Sequence, residues 1–121
     1  MLNQVILVGR LTDNPQITIR DNGKKVTTII VAVGRTFKNV DGLYDTDFIK
    51  CILWNNMAAN TVDYCHKGDI VGIKGRIQTS TYETEEGLKK YSTEVIAEKV
   101  TFLTSKKEKE EKKSKKNQEV T

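Results

Sequence analysis

The sequence predicts an all-β fold with one short helix, and three observations carry that prediction. Apolar residues recur at strand spacing along most of the 121-residue chain. Turn signals bearing glycine separate the strand segments. One stretch near the middle shifts to helical spacing, after which strand spacing returns.

Gln4, Val5, Ile6, Leu7 and Val8 form a nearly continuous apolar run bounded by Gly9-Arg10. The run is too short for a helix and fits a strand covered on both faces. Asp21-Asn22-Gly23 is the strongest short hairpin signal, because Asn-Gly tolerates the positive φ of a tight turn. It separates residues 16–20 from the β-branched run 26–33. Asn39-Val40-Asp41-Gly42 marks the next loop, and residues 48–54 read as a third clear strand. Asn55-Asn56 offers an N-cap. Ala58, Ala59, Val62 and Cys65 then follow at helical spacing, with Gly68 as the expected stop. Residues 69–77 return to strand and continue toward Tyr82. Glu85-Glu86-Gly87 turns the chain into a last strand over 90–103, closing with Val100, Phe102 and Leu103. Five strands with a helix between strands 3 and 4 is the order of an OB-fold, a five-stranded Greek-key barrel.

Composition bounds the rest. Hydrophobic residues at 37% suffice for one core, while 30% charged residues and a single proline fit neither a collagenous nor a fully disordered chain. No apolar run reaches the ~18 residues of a membrane span. Met1 to Arg10 shows neither a basic n-region nor a small-residue cleavage site, so secretion is not expected. Cys51 and Cys65 therefore read as reduced thiols in a cytoplasmic protein. These features exclude a disulfide scaffold, a membrane protein and a multidomain enzyme.

The net charge of +4 is unevenly placed. Residues 105–121 hold seven lysines and four glutamates, no aromatic and one aliphatic, Val120. Such a segment cannot bury enough apolar surface to offset its chain entropy, and a disordered tail is expected there. Residues 1–104, the expected folded domain, carry 13 basic against 12 acidic residues and are nearly neutral. A polyanionic partner would need patterned charge, or help from something other than charge.

The pattern exists at strand spacing. Over residues 48–54, Ile49, Cys51 and Leu53 share one face, and Phe48, Lys50, Ile52 and Trp54 share the other. In the fourth strand Val71, Ile73, Gly75 and Ile77 share a parity opposite to Lys74, Arg76, Gln78, Ser80 and Tyr82. Arg35 and Phe37 share parity just after the apolar stretch of the second strand. Aromatics interleaved with cations suit single-stranded nucleic acid. Unpaired bases stack on aromatic rings at roughly 1–3 kcal/mol each, and phosphates take lysine or arginine between them. Phe37, Phe48, Trp54 and Tyr82 are the stacking candidates, with Arg35, Lys50, Lys74 and Arg76 beside them. Phe102, Tyr64 and Tyr91 read as core aromatics.

Catalysis finds no support. His66 is the only histidine and falls at the helix end, where the dipole favours it. Cys51 and Cys65 lack metal-ligand spacing, and Glu83, Glu85 and Glu86 read as a solvated turn. Gly68, Gly72 and Gly75 match no phosphate loop. No catalytic residue, metal or cofactor is expected. The rival reading is an OB-fold serving RNA or a primosome-type protein contact.

Several motifs carry a resemblance. These are Asn3-Gln4-Val5-Ile6-Leu7-Val8-Gly9-Arg10-Leu11-Thr12, Ala32-Val33 running to Phe37, and Phe48-Ile49-Lys50-Cys51-Ile52-Leu53-Trp54. Lys67-Gly68-Asp69 with Val71, Ile73-Lys74-Gly75-Arg76-Ile77 and Thr93-Glu94-Val95 complete the set. From Met1 to about Leu103 the chain resembles bacterial single-stranded DNA-binding proteins. The resemblance implies an OB-fold, base stacking on Phe37, Phe48, Trp54 and Tyr82, and basic positions at Lys50 and Lys67. Asn56 stands where a lysine is frequent, removing one phosphate contact. It also implies a homotetramer with DNA wrapped around it, acting at the nucleoid in replication, recombination, repair or DNA uptake. The two-sided apolar strand of Gln4, Val5, Ile6, Leu7 and Val8 would be costly as an exposed edge and is the expected subunit interface. Family members that recruit replication and repair proteins usually end in an acidic tip. This sequence closes on Lys115-Lys116-Asn117-Gln118-Glu119-Val120-Thr121, so such recruitment is not expected. In this it resembles short tip-less paralogues that act on incoming DNA, or phage and plasmid versions, and its basic tail is expected to add weak phosphate contacts.

Overall fold

The structure, a computed structural model, describes residues 1–104. The tail expected at 105–121 lies outside the described residues. Strand β1 spans Val5–Leu11, β2 Thr18–Ile19, β3 Lys25–Lys38 and β4 Tyr44–Trp54. Helix α1 (Asn55–Tyr64) follows, then β5 (Ile70–Glu83) and β6 (Lys89–Phe102). The sheet runs β1-β5-β6-β4-β3-β2 and closes through an additional β1–β3 pairing. Five long strands thus form the closed barrel of an OB-fold. The two-residue β2 is an appendage on β3, so that α1 follows the fourth strand when β2 is counted.

Long hairpins account for strands that outrun their sequence-predicted bounds. All three hairpin turns share one construction. Gly23, Gly42 and Gly87 each donate N–H to the carbonyl three residues earlier (Arg20, Asn39, Thr84) and carry φ near +80°. This is a type I turn followed by a glycine bulge. In the first of them Gly23 alone takes the positive φ, and Asn22 instead accepts the Lys24 N–H through its side chain.

The helix departs from expectation at both ends. Trp54 occupies the N-cap with no side-chain cap bond, and Asn55 takes φ 55°. Strand β4 runs straight into the helix, so the chain must turn within one residue, and asparagine tolerates the left-handed region. The helix stops at Tyr64. Gly68, with φ 90°, belongs to the next turn, whose Asp69 N–H bonds the His66 carbonyl. Its buried stripe is Ala58, Thr61 and Cys65, with Ala59 and Val62 only half-buried. Thr61 is tolerated there because its hydroxyl donates to the Met57 carbonyl at 2.8 Å.

The core holds Leu11, Ile29, Val31, Cys51, Leu53, Val71, Ile73, Val95 and Ala97 against the helix. For β4 and β5 these are the parities the sequence predicts, except that Ile77, in phase with Val71 and Ile73, is exposed where β5 leaves the barrel. β1 differs. Val5 and Leu7 pack against the core, but Ile6 and Val8 are 71% and 55% exposed, so the chain covers only one face of this strand. Gly9 and Arg10 do not end β1 either. A Cβ at Gly9 would collide with the Ala32 carbonyl, and glycine lets β1 pass from β5 on to β3. No helix among the described residues is long and apolar enough to cross a membrane.

Candidate nucleic-acid interface

The outer barrel surface is built by side chains that alternate with the core set, and register brings them into rows. Thr28 of β3 pairs with Ile52 of β4, Ile52 with Ile96 of β6, and Ile96 with Arg76 of β5. Residues directly opposite in a ladder share a face. One step along lies a second row, Ile30, Lys50, Glu94 and Gln78. A third joins Arg10 of β1, Ala32 of β3 and Phe48 of β4.

β4 and β6 pair in parallel. Their N-terminal ends, and hence the β3–β4 and β5–β6 hairpins, extend from the same end of the barrel. Phe48 and Tyr82 sit toward that end, 67% and 54% exposed. Trp54 is half-buried at the opposite end of β4, where α1 begins. The face therefore runs from Trp54, past Ile52 and Lys50, to Phe48 and the two hairpin arms.

Phe37 is 67% exposed on the β3 arm, but alternation does not assign its face. Between the pairs Gly34–Thr46 and Lys38–Tyr44, three residues of β3 oppose one residue of β4. A strand bulged in this way no longer alternates simply.

The cations divide. Arg76 lies on the face, and its guanidinium donates to the neutral Gln78 amide oxygen at 3.0 Å. Lys50 also lies there but pairs with Glu94 at 3.1 Å. Arg35 is held by Asp47, with Nη2 to Oδ1 at 2.9 Å, and more loosely by Asp45 at 3.7 Å. The hydrogen bond from Arg35, reinforced by its charge, holds the Asp47 carboxyl below the usual carboxylate range. The same bond raises the Arg35 guanidinium above its ordinary value. Lys74 pairs with Ile6 and Lys99 and lines a groove of about 330 Å³ with Ile6, Val8 and Leu103, beside β1 rather than among the aromatics. Lys67 sits in the turn after the helix, its N–H bonded to Asn14 Oδ1 at 2.8 Å.

The three aromatics expected in the core are on the surface instead. Tyr64 and Tyr91 are 64% and 76% exposed, and Phe102 is 39% exposed. Tyr64 and Phe102 stack on one another at 5.5 Å. Tyr91 opposes Thr81 in the β5–β6 arm, one residue out of phase with Tyr82, and so occupies the other face of the arm. Arg10 was missed by sequence reasoning. Only the register that sets Ala32 between it and Phe48 reveals it, and its Nη1 donates to the Gly68 carbonyl at 3.0 Å.

Comparison with known proteins agrees with this architecture. The sequence model of the single-strand binding protein family matches residues 2–103. The chain is 48% identical over 106 residues to single-stranded DNA-binding protein B of Bacillus subtilis (strain 168), covering 88% of this chain and 94% of that protein. It is 45% identical over 106 residues to single-stranded DNA-binding protein A of the same organism, covering 88% and 62% respectively. With the single-stranded DNA-binding protein of Lactiplantibacillus plantarum it shares 44% over 110 residues, 91% of this chain but 55% of that one. It therefore spans nearly all of the first relative and little more than half of the last two. By its closed barrel and by a match running from residue 2 to residue 103, the chain belongs to the single-strand binding protein family.

Proposed function

We propose that this chain binds and protects single-stranded DNA without sequence preference, as a binding protein and not an enzyme, in replication, recombination, repair or DNA uptake. The observation that carries the reading is the outer face itself. Phe48, Ile52 and Trp54 alternate with Lys50 along β4, and Arg76 lies two register steps across. Bases stack on Phe48, Trp54 and Tyr82, with Phe37 on the neighbouring arm. Phosphates meet Lys50 and Arg76 on the face and Lys67 and Lys74 at its margins, while Arg35 stays with Asp47. Stacking needs no large net charge, which suits a nearly neutral body.

The proposed assembly is a homotetramer acting at the nucleoid in the cytoplasm. β1 supports it. Among the described residues β3 reaches β1 only at Arg10 and Leu11, which leaves the edge of Val5 to Val8 open beside exposed Ile6 and Val8. An open apolar edge pairs readily with a second copy. Sedimentation at micromolar concentration should give a species heavier than a monomer, and a strict monomer would remove the proposal.

Trp54 is the only tryptophan and reports on the face directly. Oligo-dT should quench its fluorescence strongly, and duplex DNA and oligo-rU should not. Equal quenching by oligo-rU would favour the RNA-binding OB reading. Silence toward all three would remove Trp54 from the site.

A further inference from the structure

A face that receives a polyanion would be expected to exclude carboxylates, yet Glu94 stands in the middle of it. Its Oε2 lies 3.1 Å from Lys50 Nζ, and its side chain is only 12% exposed against 47% for Lys50. The carboxylate is the fixed, inner partner and the ammonium the outer, movable one. The surroundings leave the pair to itself. Across β3 the neighbour of Lys50 is Ile30, and across β5 the neighbour of Glu94 is Gln78, whose amide oxygen is taken by Arg76. Among the described residues Lys50 therefore meets one anion, and that anion lies beneath the ammonium that an incoming phosphate would approach.

We infer that Glu94 competes with the phosphates of the bound strand for Lys50 and so limits the affinity of the face. The inference rests on the single-stranded DNA reading above. A lysine free in solution gains its phosphate contact together with the counterions that the nucleic acid releases. Lys50 must first leave Glu94, and the carboxylate left behind is largely shielded from water and repels the strand. Glu94 thus weakens binding and favours release, without touching a base.

A double-mutant cycle tests this. Wild type, E94Q, K50Q and the double variant are titrated with fluorescein-labelled oligo-dT by anisotropy over a salt series. Thermal melts establish that each variant is folded. E94Q should bind roughly two- to fivefold more tightly than wild type, the range of an ion pair whose ammonium reaches solvent, with a steeper salt dependence. In the K50Q background the same substitution should lose most of that gain. An unchanged or weakened affinity in E94Q overturns the inference, as does an equal gain in both backgrounds, which would mean mere removal of a negative charge. Failure of the wild type to bind oligo-dT is a separate outcome, which removes the function reading on which the inference rests.

Discussion

Arg35 donates two hydrogen bonds to Asp47 Oδ1, from Nε at 3.2 Å and Nη2 at 2.9 Å, and a third from Nε to Oδ2 at 3.2 Å. Asp47 shares the parity of Ile49 and Cys51, opposite to Phe48 and Lys50. The guanidinium is thereby drawn away from the face on which Arg76 lies. Arg35→Gln should change oligo-dT affinity by less than about twofold, since its charge is already matched within the chain. Arg76→Gln should weaken binding and flatten the salt dependence by about 0.7 in logarithmic slope, the loss of one phosphate contact on a single strand. Binding isotherms over a salt series decide between the two residues. The pair also has a pH signature. Asp47 is held below its ordinary value of 3.8, so what the pair contributes is present above that pH and lost as pH falls through the lowered value.

Tyr82 and Tyr91 offer an internal control on the β5–β6 arm, where they occupy opposite faces. Truncating a stacked ring should cost roughly 1–3 kcal/mol of binding. Tyr82→Ala and Phe48→Ala should each show such a loss with little change in melting temperature, because both rings are more than half exposed. Tyr91→Ala should bind like wild type. Equal losses for Tyr82 and Tyr91 would refute a one-sided face.

Gly75 sits at the bulge between β5 and β6, where a Cβ would run into the Ile96 carbonyl. Neither backbone strand can yield without breaking the ladder that carries the face. Gly75→Ala should destabilise the barrel by about 3 kcal/mol or more, at the upper end of overpacking costs. Urea unfolding measures it, and a wild-type midpoint would show that the two strands are free to separate.

Thr27 is 1% exposed in the core, and its hydroxyl has no hydrogen-bond partner among the described residues. A buried polar group left unpaired costs about 1–3 kcal/mol, and valine replaces the hydroxyl by a methyl of the same shape. Thr27→Val should therefore raise stability by about 1 kcal/mol, visible as a higher urea midpoint with an unchanged slope.

Cys51 is fully buried opposite Ile29 and Val95, and burial pushes its thiol up to about 11. In the native protein it should resist alkylation until the chain unfolds. The folded value lies above the unfolded one. The stabilising effect is therefore complete below the ordinary value of 9.0 and is lost as pH rises toward 11. Unfolding at pH 8 and pH 10, compared with a Cys51→Ala variant, isolates this contribution.

Local patterning was sufficient for much of this protein. Alternation along residues 48–54 placed Ile49, Cys51 and Leu53 inside and left Phe48, Lys50, Ile52 and Trp54 for the other face, because the two-residue period of a strand is a property of the backbone alone. The Gly-bearing turns likewise marked all three hairpins, since a positive φ is a local demand. Alternation stopped being a guide where the chain bulges, at Phe37, and where hairpin arms leave the barrel the general burial of strand aromatics failed too, so that Tyr91 is outside. Partners across the barrel were not legible at all. That Lys50 meets Glu94 and that Arg10 lines up with Phe48 through Ala32 depend on register between segments tens of residues apart. Closure of the sheet set that register, and closure is a decision of the whole chain.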